Sequence, residues 1–446
     1  MRSSAQHKAN ALAVAAALIG FSAASEVSVA QEAPGTPRSS ARLRTAATPP
    51  ANALGATGTL SLVSSNAAGA PLGGDNSALE GEQCGLSADG NLVLFNSNAT
   101  GLVPGRGIDA ANVYLKNIRT GAVTRVSPGN AGGANCIAMT PDGNSVLFRS
   151  PYFSGDIFVK NIQTGALTKV TPAPTSIPNN VGFVGGSISD DGAVVAFVTV
   201  PTSHYIGQYD YANDVPARVV VKNLRSNTQR IIIADDGNPS NGEVVSGGRL
   251  SPDGNKVVFT STSSTLVPND TNGQEDVFVR DLNTGSTQLV TGDASGAVAT
   301  PIYSGFLMYY NEAFVTNDLV RYQITSDSSL GGPGTYLKSL SSRAINLALA
   351  VTDGFAGRIS SDGGKMAFLR IVSGSFAYRA VVRNLRSGAE AVVSTSTAGV
   401  IGNGGVNGLQ ISRDGSTVVF GSNASNLVSP ALPAGSVQVY AKKLPF

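Results

Sequence analysis

The chain has 446 residues, 42% of them hydrophobic and only 13% charged, with 52 glycines, 22 prolines and no tryptophan. Its 31 basic and 29 acidic residues balance to +2, which excludes the concentrated basic face of a nucleic-acid binder. The apolar content excludes a disordered chain, and two histidines with two cysteines leave little for metal or thiol chemistry.

At the amino terminus Arg2 and Lys8 precede an apolar stretch, Ala11 to Ala24, followed by small residues. Ser28 and Ala30 stand as in a small-x-small cleavage site, and Ser22 with Ala24 offers a second one. This layout predicts a secretory signal peptide over residues 1–30 and a periplasmic or secreted protein. The apolar run is shorter than the roughly 20 residues a membrane span needs, and no later run is long enough, so no transmembrane segment is expected after cleavage. Cleavage leaves 29 basic against 28 acidic residues and His204 as the one histidine. Residues 31–57, rich in Pro, Ala, Ser and Thr, read as a flexible linker.

From residue 58 a repeat dominates. Ser or Thr, any residue, Asp and Gly precede an apolar run in LSADGNLVLF, MTPDGNSVLF, ISDDGAVVAF, LSPDGNKVVF, ISSDGGKMAF and ISRDGSTVVF. The aspartates are Asp89, Asp142, Asp191, Asp253, Asp362 and Asp414, with gaps of 53, 49, 62, 109 and 52. The double gap predicts a seventh copy without Asp-Gly near residue 307, in GFLMYYNEAF. A second signature follows in NVYLKNIRTGAVTRV, DIFVKNIQTGALTKV, VFVRDLNTGSTQLV and AVVRNLRSGAEAVV, read as two strands about a two-residue turn with Gly; YLKSLSSRAINL supplies it for the divergent copy.

Asp-Gly between apolar runs is a hairpin signal, because Gly accepts the positive φ of a tight turn. Unbroken runs such as VVF and VLF imply strands buried on both faces, where a surface sheet would alternate. Four such strands per repeat are a propeller blade packed between its neighbours. The expected fold is therefore all-β: a seven-bladed propeller of four-stranded antiparallel blades over residues 58–446. The last copy, ending in SVQVYAKKLPF, lacks a fourth strand, and TGTLSLVSS at Thr57–Ser65 has that character. Residues 58–64 are predicted to pair with Val437–Lys442 and close the ring.

The six Ser/Thr-x-Asp-Gly copies with their following strand pairs resemble the WD-repeat-like propeller repeats of the TolB family; TPDG at Thr140–Gly143 and SPDG at Ser251–Gly254 match its Pro-Asp-Gly form fully. The resemblance covers nearly all of residues 58–446 and implies the propeller and an envelope partner. The α/β domain that precedes the TolB propeller has no counterpart in residues 31–57. Similar propellers precede the catalytic domain of prolyl-oligopeptidase-like enzymes, but no Gly-x-Ser-x-Gly elbow occurs here.

Six similar Asp-Gly copies are read as turn chemistry and not as catalysis. Strand parity puts these turns and the Thr-Gly turns at one end of the ring, and the longer second-to-third and interblade loops at the other, where binding groups usually lie. Two loop segments there are candidate contact surface: Pro201–Pro216, with His204, Tyr205, Tyr209, Asp210 and Tyr211, and Asp235–Glu243, with Asp235, Asp236 and Glu243. The alternative is that they only cover blade edges. In NDTNGQED, the oxygen-bearing residues Asp270, Asn272, Glu275 and Asp276 make calcium a possible ligand, against a plain Asx-rich turn. Cys84 and Cys136, nearly one period apart on inner strands of adjacent blades, are either a disulfide or two buried thiols.

The function expected is that of a monomeric, non-catalytic binding module for an envelope protein or glycan, without an obligatory cofactor. The alternative is a carboxylate- or calcium-dependent hydrolase or lyase at the channel mouth, drawing on Glu80, Glu82, Asp235, Asp236, Glu243 and Glu312.

Overall fold

The computed structural model describes residues 57–71, 77–79, 84–104, 111–128, 132–151, 155–171, 181–201, 218–232, 244–268, 270–272, 274–292, 313–324, 332–372, 377–432 and 436–445. The chain divides into two units, Met1–Ala47 and Thr48–Phe446, and every described residue lies in the second. The expected signal peptide and nearly all of the linker lie outside the described residues.

Seven four-stranded antiparallel sheets form the ring of a seven-bladed propeller. Blade one comprises Ser77–Ala78, Leu92–Ser97, Asn112–Asn117 and Val123–Arg125; blade two Asn135–Met139, Ser145–Ser150, Asp156–Asn161 and Leu167–Lys169. Blade three runs through Val181–Ile188, Val194–Pro201, Arg218–Asn223 and Thr228–Ile232, and blade four through Val244–Leu250, Lys256–Ser261, Asp276–Asp281 and Thr287–Leu289. Blade five holds Ala313–Phe314, Leu319–Ile324, Gly334–Ser339 and Ile345–Ala350; blade six Phe355–Ile359, Lys365–Ile371, Tyr378–Asn384 and Glu390–Val392. Blade seven is Val406–Ile411, Thr417–Ser422 and Gln438–Lys443, completed by Leu60–Leu62 from the start of the propeller. Leu60, Ser61 and Leu62 face Lys442, Ala441 and Tyr440, and the ladder extends through Val63 N–H to Val439 O (2.8 Å) and Lys443 N–H to Thr59 O (2.8 Å). The ring thus closes with the strand and partner expected, and no blade is left with an unpaired third strand.

Double-sided burial explains the apolar runs. Val93, Leu94 and Phe95 are all fully buried, as are Val146, Leu147 and Phe148 or Val418, Val419 and Phe420, because alternate side chains enter opposite seams between blades. Facing aromatics join second and third strands in five blades: Phe95–Tyr114, Phe148–Phe158, Phe259–Phe278, Tyr322–Tyr336 and Phe420–Tyr440, with centroids 5.7–5.9 Å apart. Such pairs add about 0.5–1.5 kcal/mol each beyond the area they bury.

A basic residue recurs near the end of the third strand and reaches the previous blade. Lys116 Nζ donates to Ser65 O and Asn66 O, Lys160 to Val126 O, Lys222 to Val170 O, Lys338 to Gly292 O and Lys442 to Ser396 O, at 2.6–3.1 Å. These ammonium groups replace water for carbonyls just past a fourth strand, and so fasten blades one, two, three, five and seven each to the blade before. Burial lowers the pKa of Lys116 and takes that of Lys442 down to about 8. In blade six Arg383 stands at this position, paired with Asp353 and Glu390.

Two local expectations need correction. The third-to-fourth turns are longer than two residues. Asn117 Oδ1 accepts the N–H groups of Arg119 and Thr120, Gly121 N–H returns to Asn117 O, and Asn117 pairs next with Ala122, leaving four residues in the loop. Asn161, Asn223, Asp281 and Asn384 repeat this Asx-capped form, so the Asn or Asp before the apparent turn belongs to it. The divergent turn of blade five is not near residue 307 but at 315–318. There Thr316 Oγ1 accepts the N–H groups of Asp318 and Leu319, and no glycine is used. Of GFLMYYNEAF, Ala313 and Phe314 form the first strand, and the rest lies outside the described residues.

Candidate functional site

Each Ser/Thr-x-Asp-Gly motif builds the same hairpin. Ser251 Oγ–H donates to Asp253 Oδ1 (2.6 Å) and accepts Lys256 N–H (2.9 Å), while Asp253 Oδ1 also accepts Asn255 N–H (3.0 Å). Gly254 has φ +72°, and a Cβ there would lie 3.0 Å from Ser189 of the preceding blade. Thr140–Asp142 and Ser412–Asp414 do the same. In Asp89, Asp191 and Asp362 the Ser hydroxyl leads in holding the carboxyl below its usual range. In Asp142, Asp253 and Asp414 burial pushes upward most strongly, and the combined hydrogen bonds still bring the net shift down. These carboxylates are committed to their turns.

The variable position inside the motif does something the motif itself does not announce. Ser361 N–H donates to Arg413 O (2.9 Å), Asp414 N–H to Ala88 O (3.3 Å), Ala88 N–H to Pro141 O (2.7 Å) and Asp190 N–H to Pro252 O (2.8 Å), so consecutive turns are linked around the axis. Pro141 and Pro252 can only accept, and Asp253 N–H turns instead to Asn317 Oδ1 (3.0 Å). Across this ring, Arg413 of blade seven forms a two-pronged pair with Asp190 of blade three at 2.6 and 2.5 Å. The two turns lie on opposite sides of the wheel, so the pair crosses the axis and narrows the channel at the turn end. The sequence carried a signal for it: the variable position is charged in these two copies alone, with opposite signs.

At the loop end the expected contact residues His204, Tyr205, Tyr209, Asp210 and Tyr211, and Asp235, Asp236 and Glu243, lie outside the described residues, as do Glu80, Glu82 and Glu312. The strands that flank these segments, ending at Pro201 and resuming at Arg218, and ending at Ile232 and resuming at Val244, are described. Cys84 and Cys136 are buried in the seam of blades one and two with Cα atoms 5.4 Å apart, joined as a disulfide. Cys136 belongs to an inner strand, whereas Cys84 just precedes the isolated Leu86–Val93 bridge and is not in one. Beside them Asn96 bridges the blades, donating to Asn135 Oδ1 (2.7 Å) and accepting Cys136 N–H (3.1 Å).

Of the four calcium candidates, the structure brings Asp270, Asn272 and Asp276 together in the second-to-third loop of blade four. Asp276 is fully buried and accepts Thr291 Oγ1–H (2.5 Å) and Asn272 Nδ2–H (2.9 Å). Asp270 is 3% exposed, and neither of its carboxylate oxygens has a hydrogen-bond partner. Burial, with Asp276 second, raises its pKa to about 6 against a small opposing pull from the Asn272 backbone N–H; burial also raises that of Asp276 against the bonds it accepts. Glu275 is buried with a partner of its own. Among the described residues no three His, Cys, Asp or Glu side chains converge as a metal cage, and no helix is long and apolar enough to cross a membrane.

No family model and no curated protein matches the chain. Solved structures do. An oligogalacturonate lyase in complex with manganese aligns at 14% identity over 88% of this chain and 99% of its own, with a TM-score of 0.56. An oligogalacturonate lyase from Vibrio parahaemolyticus aligns at 11% over 82% of this chain and 89% of its own, at 0.54. TolB from Acinetobacter baumannii aligns at 13% over 80% and 81%, at 0.37. At these identities the likeness is one of propeller fold.

Proposed function

We propose that this protein is a non-catalytic binding propeller of the periplasm or the extracellular space, holding a protein or glycan partner at its loop end. The observation that carries this reading is the arrangement of the turn end, where linked turns and the Arg413–Asp190 pair cross the axis. A partner entering the ring does so from the opposite end, where the sequence places its tyrosine-rich segment; Tyr combines a flat apolar ring with a polar tip, which suits proteins and sugars alike. The test is recovery of envelope proteins and labelled glycans by the wild type, by a Tyr205→Ala/Tyr209→Ala/Tyr211→Ala variant and by Arg119→Ala at the turn end. The triple variant should lose its partner at least tenfold and Arg119→Ala should retain it. Equal recovery by all three would move the contact surface elsewhere.

A second reading, a carboxylate- or metal-assisted lyase of acidic sugars, draws support from the fold shared with the two oligogalacturonate lyases. Incubation with oligogalacturonides, with and without Mn²⁺, and detection of the unsaturated product decides it. No product above a heat-inactivated control removes this reading.

A further inference from the structure

The first residue of the third strand is a polar latch in several blades. Ser127 donates to Asn112 in blade one, Thr171 to Asp156 in blade two and Ser64 to Gln438 in blade seven, each tying the strand to the chain that leaves the neighbouring fourth strand. In blades one and seven the latch is a neutral amide. In blade two the carboxylate of Asp156 is balanced by Lys169 at 2.8 Å. Blade four departs from both arrangements. Its latch, Asp276, is a buried carboxylate with no Lys or Arg paired to it among the described residues, and a second buried carboxylate, Asp270, stands six residues earlier in the same loop.

Asp270 is the anomaly. A buried carboxylate ordinarily accepts several hydrogen bonds or faces a cation. Both Asp270 oxygens are buried without a hydrogen bond of good geometry, the Asn272 backbone N–H is the weakest influence on them, and the charge that acts on them, Asp276, is of their own sign. The remaining groups around it offer oxygen. Asn272 turns its Nδ2 toward Asp276 while its Oδ1 accepts Gln274 N–H (2.8 Å) and keeps a second lone pair. No sulfur or imidazole is among them, which favours a hard cation over zinc or copper.

From the unpartnered, buried Asp270 beside Asp276 and Asn272, we infer that the second-to-third loop of blade four holds a calcium ion. Asp270 supplies the open carboxylate, Asp276 the lone pairs left over from its two hydrogen bonds, and Asn272 its amide oxygen. Backbone carbonyls and water complete the roughly seven oxygens that calcium takes. The ion neutralises two carboxylates that blade four, unlike blade two, leaves without an ammonium partner. Its role is to pin the loop end of blade four to the outgoing chain at Thr291.

The test compares the melting temperature of the whole protein at pH 7.5 in chelator, in 5 mM Ca²⁺ and in 5 mM Mg²⁺, for wild type and Asp270→Asn. Calcium should raise the wild-type midpoint by about 2–5 °C. Asp270→Asn, which removes a buried charge, should melt no lower than the chelated wild type and should not respond to calcium. Terbium luminescence on the wild type alone should report one site that calcium displaces. A wild-type midpoint equal in chelator and calcium, an Asp270→Asn protein that still responds, or the absence of a terbium site each overturns the inference. An equal rise with Mg²⁺ overturns the assignment to calcium.

Discussion

Replacing Ser251 by alanine isolates the chemistry of the Asp-Gly turn. Ser251 is fully buried and makes two short bonds at once, giving its proton to Asp253 at 2.6 Å and taking that of Lys256 N–H at 2.9 Å. The first is charge-assisted, with a typical net value of about 1.5–3 kcal/mol, and the second leaves a backbone N–H without its partner, at about 1–3 kcal/mol. Asp253 lies in a turn that water reaches and recovers part of its loss, so Ser251→Ala should cost about 2–4 kcal/mol in all. Ser251→Thr should cost under about 1 kcal/mol, because Thr140 makes the same two bonds in blade two. Urea unfolding followed by circular dichroism measures both, and a cycle with Asp253→Ala should show a coupling of at least about 1 kcal/mol. A loss below about 0.5 kcal/mol, or strict additivity of the two alanine variants, would refute the account of the turn.

Three other outcomes follow from the same structure. The six motif aspartates are held below their ordinary pKa in the folded state, so the stability they contribute is present above about pH 4, the unfolded value, and is lost as pH falls through the lower folded values; acid unfolding should steepen there, and a midpoint flat from pH 6 to pH 2 would contradict this. Deleting residues 1–65 removes the strand that pairs with Tyr440–Lys442 and the Ser65 carbonyl that Lys116 holds, leaving an open edge; light scattering should show self-association, and a monomer as stable as wild type would overturn the closure argument. Thiol titration of unfolded, unreduced protein should find no free thiol, and the Cys84→Ser/Cys136→Ser variant should lose roughly 4 kcal/mol by the chain-entropy account; two free thiols would sink the bridge.

The repeat period, the apolar runs and the orphan strand at Thr57–Ser65 were enough to specify fold, blade number and closure. These are nearest-neighbour properties: a run such as Val93–Phe95 is buried on both faces only if sheets cover it on both sides, and a strand without a partner names the edge that needs it. The divergent turn of blade five was misplaced because Thr316 does with its hydroxyl what other copies do with Asp-Gly, so no signature marked it. The Lys clamps were visible as letters, in VYLKN or IFVKN, but their targets lie 34 to 52 residues earlier, across a seam that only the assembled ring creates. The pairing of Arg413 with Asp190 joins residues 223 apart in sequence; two opposite charges at the variable motif position marked them out, but only the closed ring brings the two turns face to face. Asp270, Asn272 and Asp276 suggested calcium by composition alone. That Asp270 is buried with neither oxygen in a hydrogen bond of good geometry was decided by how blade four packs, because burial is a property of everything around a side chain and not of its neighbours in the chain.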